Sequence, residues 1–166
     1  MGTMDKQRKL DRFLAVHRAS GAPVTIQRRA VFEAILDRAD HPTTEQVCRA
    51  VRQNLPQISR MTVHRILGEF VALGLVDKTC HPGSAARFDP KTRPHHHLVC
   101  LGCGAILDVE DPRLDRIPRP QVNPGEFTIQ DCQVQFRGRC ARCQSKARAR
   151  RPRPKARRAI ANHQIL

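Results

Sequence analysis

The sequence has no tryptophan and no tyrosine, and its 6 phenylalanines are all of its aromatic content. An aliphatic core is expected, and base stacking on exposed aromatic rings is excluded as the main binding mode. Acid is also scarce. Asp and Glu number 15 against 30 Lys and Arg, which leaves a formal net charge of +15. Such an excess points to an anionic partner, most economically nucleic acid. No apolar run approaches the roughly 18 residues of a membrane span. The opening residues, MGTMDKQRKL, are polar and charged, which argues against a secretory signal and for a cytoplasmic protein. At 166 residues the chain suits one domain or two small ones, not a large barrel enzyme.

What is abundant is metal-ligating chemistry. Seven cysteines and eight histidines without an export signal point to metal rather than disulfides. The charge is unevenly placed. Eight basic residues between Lys146 and Arg158 carry about half of the net charge, in a stretch that also holds Pro152 and Pro154. A tail over 145–166 is expected to be disordered alone, and is either a nonspecific DNA-tethering arm or a solvated end.

The first 80 residues read as helices. Leu10, Phe13, Leu14 and His17 share one helical face. A second helix starts near Thr25, and Pro42 ends it. Thr43 and Gln46 form a capping-box pattern for a third, and Ser59 can cap a fourth that stops at Gly74. Residues 75–80 and 86–88 read as a hairpin around the turn Pro82-Gly83-Ser84. This order is that of a winged helix-turn-helix, whose last helix enters the major groove. Arg60, Thr62, His64 and Arg65 then become candidate DNA contacts.

Residues 89–94 hold two prolines and read as a hinge. After it the pattern changes to short strands, at 95–99, 105–109 and 127–136 with a bulge or twist. The fold class expected is α+β: a winged-helix domain over 1–88, then a small α/β dimerisation domain over 95–144. So small a core needs dimerisation and a metal for stability.

The strongest signal is Cys100-x-x-Cys103 with Cys140-x-x-Cys143. Two such turns make a tetrahedral S4 site, and zinc suits it as a structural ion. A second set is less regular. His95 and His97 lie at i and i+2, so they face one side of a strand. If the Cys100–Cys103 turn closes a hairpin, His97 lies opposite Asp108 on that face. Asp89 could fold onto the same ion, and so could Glu110. Such N/O donors suit Fe(II), Mn(II) or Zn(II) without choosing among them.

These residues carry a resemblance. The chain resembles the ferric uptake regulator family of metal-dependent repressors, over roughly Thr25 to Gln144. The match rests on Thr25-x-Gln27-Arg28, His41-Pro42-Thr43-Thr44, Thr62-Val63-His64-Arg65-Ile66-Leu67, Gly74-Leu75-Val76, Arg87-Phe88-Asp89, the run from His95 to Gly104, and Gly138-x-Cys140-x-x-Cys143. The resemblance implies a regulatory ion held by His41, Asp89, His95, His97 and Asp108. It adds His41 and sets Glu110 aside, and its first motif adds Arg28 to the DNA-facing candidates. Both acids are Asp, which is similar to the peroxide-responsive branch, where bound Fe(II) leads to oxidation of the ligand histidines matching His41 and His95.

Some positions depart from the family pattern. His64 stands where Tyr is usual in the recognition helix. Pro94 and His96 stand where further ligands are common, and Asp131 and Cys132 where His is frequent. Cys48, Cys80 and Cys132 have no matched metal role, and buried apolar packing is expected of them.

The function expected is a homodimeric transcriptional repressor that binds operator DNA, carries structural Zn2+ and regulatory Fe2+ or Mn2+, and senses peroxide. No enzymatic activity, membrane or small organic substrate is expected. The rival readings are a metal-only sensor of iron, manganese or zinc, a small metal-dependent nuclease, and a nonspecific nucleoid protein.

Overall fold

The computed structural model describes residues 3–38, 40–80, 85–118, 120, 125, 127–129 and 132–149. The turn at Pro82-Gly83-Ser84, Asp131 and all of the tail beyond residue 149 lie outside them.

Four helices come first: α1 (Thr3–Ala19), α2 (Ile26–Leu36), α3 (Thr44–Val51) and α4 (Arg60–Ala72). Local chemistry starts three of them. The Thr25 hydroxyl accepts from the Arg28 N–H, and the Ser59 hydroxyl from the Thr62 N–H. Thr43 and Gln46 form the full reciprocal capping box. Gly74, at φ +63°, turns the chain out of α4 in a conformation that only glycine adopts without strain. A hairpin follows, β1 (Asp77–Thr79) against β2 (Arg87–Asp89), with Asp77 opposite Asp89.

The second unit is a three-stranded sheet in the order β4-β3-β5, built from β3 (His96–Cys100), β4 (Ile106–Val109) and β5 (Gln135–Gly138). β4 runs antiparallel to β3, and β5 runs parallel to it. A fifth helix, α5 (Ala141–Ala149), closes the described chain. The architecture is α+β. Several details differ from the sequence pattern. Asp89 is the last residue of the wing strand, not free hinge. Among the described residues of the late segment, the strand is Gln135–Gly138, and Phe127 is 66% exposed. α5 continues past Gln144, where the tail was expected to begin.

The core is less aliphatic than composition suggests. Phe13 and Phe32 stack with centroids 4.7 Å apart, and Phe70 meets them edge-on at 5.7 and 5.5 Å. Around this trio pack Val31, Ile35, Val47, Val63, Ile66 and Leu67, all buried. Phe13 and His17 carry the buried face of α1, each 1% exposed, whereas Leu14 is 40% exposed and leaves the expected stripe. The His17 Nδ1 donates to the Phe13 carbonyl at 3.0 Å. Cys48 joins this core as expected, but Cys80 and Cys132 are exposed, because neither lies on a packed element. Among the described residues, no helix is long and apolar enough to cross a membrane.

Phe13→Ala is expected to cost about 3–5 kcal/mol, as a buried ring removed from a packed cluster. Leu14→Ala is expected to stay within about 0.5 kcal/mol. Chemical denaturation of the two variants measures the difference, and equal losses would refute this packing of α1.

Candidate metal centres and DNA-facing helix

The parallel pairing of β3 and β5 builds the first centre. Cys100 lies opposite Gly138, so both strands end at the same edge of the sheet. The Cys100–Cys103 turn leaves one strand there, and Cys140 and Cys143 follow the other into α5. The four sulfurs lie within 4.8 Å of one another, with Cys103 and Cys140 3.7 Å apart. A zinc tetrahedron with bonds of about 2.3 Å has edges of about 3.8 Å. The Cys140 N–H donates to the Cys100 sulfur at 3.2 Å. That donation leads in holding the Cys100 thiol down at about 6, which favours the thiolate, the form that binds metal. Cys143 is pushed the other way, up to about 12, first by its contact with Cys140 and then with Cys103. The sulfurs cannot all ionise beside one another without a cation. This donor set and spacing fit zinc. Gly102 lets the turns meet, because a β-carbon there would stand 2.9 Å from the Cys143 sulfur.

The second centre lies between the two units. His41 comes from the loop before α3, Asp89 from the end of β2, His95 and His97 from β3 and the residue before it, and Asp108 from β4. The antiparallel register places His97 opposite Asp108, as the hairpin count expects. One donor atom from each of the five lies within 4.8 Å of all the others. His41 Nε2 is 2.9 Å from Asp108 Oδ1 and 3.1 Å from Asp89 Oδ2. His95 Nε2 is 2.9 Å from the same Asp89 oxygen. The three histidines and Asp89 are at most 4% exposed.

These approaches are close, yet His41 Nε2, His95 Nε2, His97 Nε2 and Asp89 Oδ2 have no hydrogen bond of acceptable geometry. The atoms converge on a common point rather than on one another. Buried polar atoms left this way are costly unless something else binds them. The donor mixture fits a divalent ion such as Fe(II), Mn(II) or Zn(II).

Outer contacts aim the donors. The His95 Nδ1 donates to the Arg93 carbonyl at 2.8 Å, which leaves the Nε2 lone pair facing the cluster. The Lys91 N–H donates to Asp89 Oδ1 at 2.8 Å, and the Lys91 ammonium donates to Asp108 Oδ2 at 3.1 Å. Burial alone would raise the Asp89 carboxyl. His41, His97 and the Lys91 amide outweigh it and hold the group below the usual carboxylate range. Glu110, the alternative donor, is taken by Lys91 and Arg93. His96 is buried on the other face, where it accepts from the Val134 N–H and lies 3.1 Å from Asp115 Oδ1.

The DNA-facing candidates are treated less evenly. Arg28 does not reach outward. Its Nε and Nη2 donate to Glu69 Oε2 at 3.0 and 2.9 Å and its Nη1 to the Pro23 carbonyl, so it braces α4 from behind. Arg65 meets the other Glu69 oxygen at 2.5 Å. The Thr62 hydroxyl pairs with Ser59 at 2.8 Å, and Arg60 lies 3.8 Å from Glu45. His64 is exposed. Met61, 75% exposed on the same helix, was missed by a search for polar residues. Its signal was an apolar residue three before His64, off the buried stripe.

A winged-helix unit and a cysteine-knuckled sheet, with five donors converging between them, define a metal-responsive DNA-binding regulator. The chain belongs to the Ferric uptake regulator family, whose model matches residues 19–137. It is 30% identical over 140 residues to the peroxide-responsive repressor PerR of Staphylococcus aureus, covering 84% of this chain and 95% of that one. The fold is similar to that of the Helicobacter pylori ferric uptake regulator (TM-score 0.69, 22% identity, 84% and 93% of the two chains). It is also similar to the Pseudomonas aeruginosa ferric uptake regulator solved with manganese (TM-score 0.58, 26% identity, 75% and 95%).

Gly102→Ala is expected to lower zinc retention and thermal stability together, as removal of a ligand by Cys140→Ser would. Zinc content after dialysis against a chelator measures it. Full retention in the Gly102→Ala protein would contradict the close approach of the two turns.

Proposed function

We propose that the chain is a homodimeric, metal-dependent transcriptional repressor that senses hydrogen peroxide. Zinc held by Cys100, Cys103, Cys140 and Cys143 fastens the sheet. Fe(II) or Mn(II) held by His41, Asp89, His95, His97 and Asp108 sets its DNA-binding state. The observation that carries this reading is the five-donor cluster, four of whose residues are buried and in which His41 Nε2, His95 Nε2, His97 Nε2 and Asp89 Oδ2 lack hydrogen-bond partners.

An Fe(II) ion held by these donors would supply the electrons that reduce peroxide, and the oxidant so formed would add its oxygen to a ligand imidazole. The chain's own residues do the rest. His41 belongs to the helical unit and the other donors to the wing strand and sheet, so a shared ion fixes the angle between the units. Half-site spacing on DNA makes that angle matter. A cavity of about 660 Å³ borders His41, Asp89 and Asp108 and gives small molecules a route to that side. Oxidising His41 or His95 removes one donor and releases the units. The peroxide assignment draws on the two Asp ligands and on likeness to the staphylococcal repressor. A metal-only sensor is the second reading, favoured by likeness to the manganese-bound regulator.

The dimer reading has its own support. Leu107, Leu98 and Phe136 form one row across the sheet, paired strand to strand. They are 57%, 43% and 44% exposed, an apolar row that a second copy would cover. Groove contact falls to the α4 face carrying Arg60, Met61, Thr62, His64 and Arg65.

DNA duplexes selected with the Mn(II)-loaded protein are expected to be released after peroxide only from the Fe(II) form, with a one-oxygen mass gain on His41 or His95. Oxidation at neither residue, with binding intact, would leave the metal-only sensor. Leu107→Asp is expected to shift the protein to monomer in sedimentation while zinc content stays unchanged. A dimer of undiminished affinity would exclude this face.

A further inference from the structure

Arg87 lies outside both donor sets, on β2, two residues before Asp89. Its Nη1 donates to the His41 carbonyl at 2.9 Å and lies 3.5 Å from the Asp40 carbonyl. The backbone repeats the link. Thr43 bridges to Arg87, and the Phe88 N–H donates to the Pro42 carbonyl at 3.0 Å. His41 has reason to be held, because its φ of +49° is in the left-handed region that residues with a β-carbon rarely adopt.

The guanidinium also lies near the first cysteine turn. A β-carbon at Gly104 would lie 3.6 Å from Nη2. Gly104 closes the first cysteine turn, where its N–H donates to the Cys100 carbonyl at 2.8 Å. Among the described residues, no carboxylate comes within ion-pair distance of Arg87, so its planar donors serve backbone carbonyls.

We propose that Arg87 is a positioning residue for the regulatory centre. It pins the segment from His41 to Thr43 against β2, so that the donor from the helical unit meets Asp89 carried on the pinning strand. This rests on the reading of the five donors as metal ligands.

The test uses full-length, zinc-loaded protein and the variants Arg87→Ala, Arg87→Lys and His41→Ala. Without regulatory metal, Arg87→Ala is expected to speed hydrogen exchange at the Phe88 amide. With Mn(II) as probe, its affinity is expected to fall about 10–100-fold at unchanged zinc content. Arg87→Lys should restore part of that loss. In the His41→Ala background, Arg87→Ala should lower affinity no further, since Arg87 acts through His41. Unaltered Phe88 exchange, unaltered Mn(II) affinity, an equal loss without His41, or loss of zinc would each overturn the assignment. A parent protein that binds no Mn(II) would instead overturn the proposed function, and Phe88 exchange would then decide the role of Arg87.

Discussion

If β3 slipped by one residue against its neighbours, every side chain on it would change face. His97 would leave Asp108, and Cys100 would leave the edge where Cys140 arrives. Both donor clusters thus depend on the register of one five-residue strand. The register has few apolar contacts to hold it, because the small sheet buries little beyond Val99 and Ile106. The ions that the donor sets fit would themselves hold the register. In a sheet this small, metal binding and folding are one free energy.

The regulatory cluster has the opposite economy from the helical core. Phe13, Phe32 and Phe70 gain by packing on one another. The donors of the cluster are left short of partners, since several of their buried nitrogens and Asp89 Oδ2 make no hydrogen bond. Lys91, Arg93 and Arg87 hold them in place from outside, by contacts to a carboxylate or a backbone carbonyl. Buried donors without hydrogen bonds cost stability, and an ion held by all five would tie the two units together.

Arg28 and Arg65 illustrate a limit of reading charge from sequence. Both are basic residues on or beside α4, and both reach Glu69. A charge run does not say which cations face solvent, because a single acid forty-one residues from Arg28 is invisible to local pattern. The aromatic centre of the core escaped for a related reason. Composition counts six phenylalanines but does not say that three of them converge.

Local rules were enough for the helix caps at Thr25, Thr43 and Ser59, because a cap is a contact three residues long. They were also enough for His97 facing Asp108, because the hairpin between them is closed by a four-residue turn. The paired CxxC spacings named the four cysteines whose sulfurs come together, since thiolates at that separation can reach one ion. What sequence could not decide was the parallel meeting of β3 with β5, the left-handed His41, or the place of Asp89 on the wing strand. Each depends on pairing between chain segments that local pattern does not connect: β3 with β5, the segment from His41 to Thr43 with β2, and Asp77 with Asp89. Resemblance supplied His41 as a name. Only the tertiary structure placed it within reach of the other four donors, and it did so through a carbonyl held by Arg87.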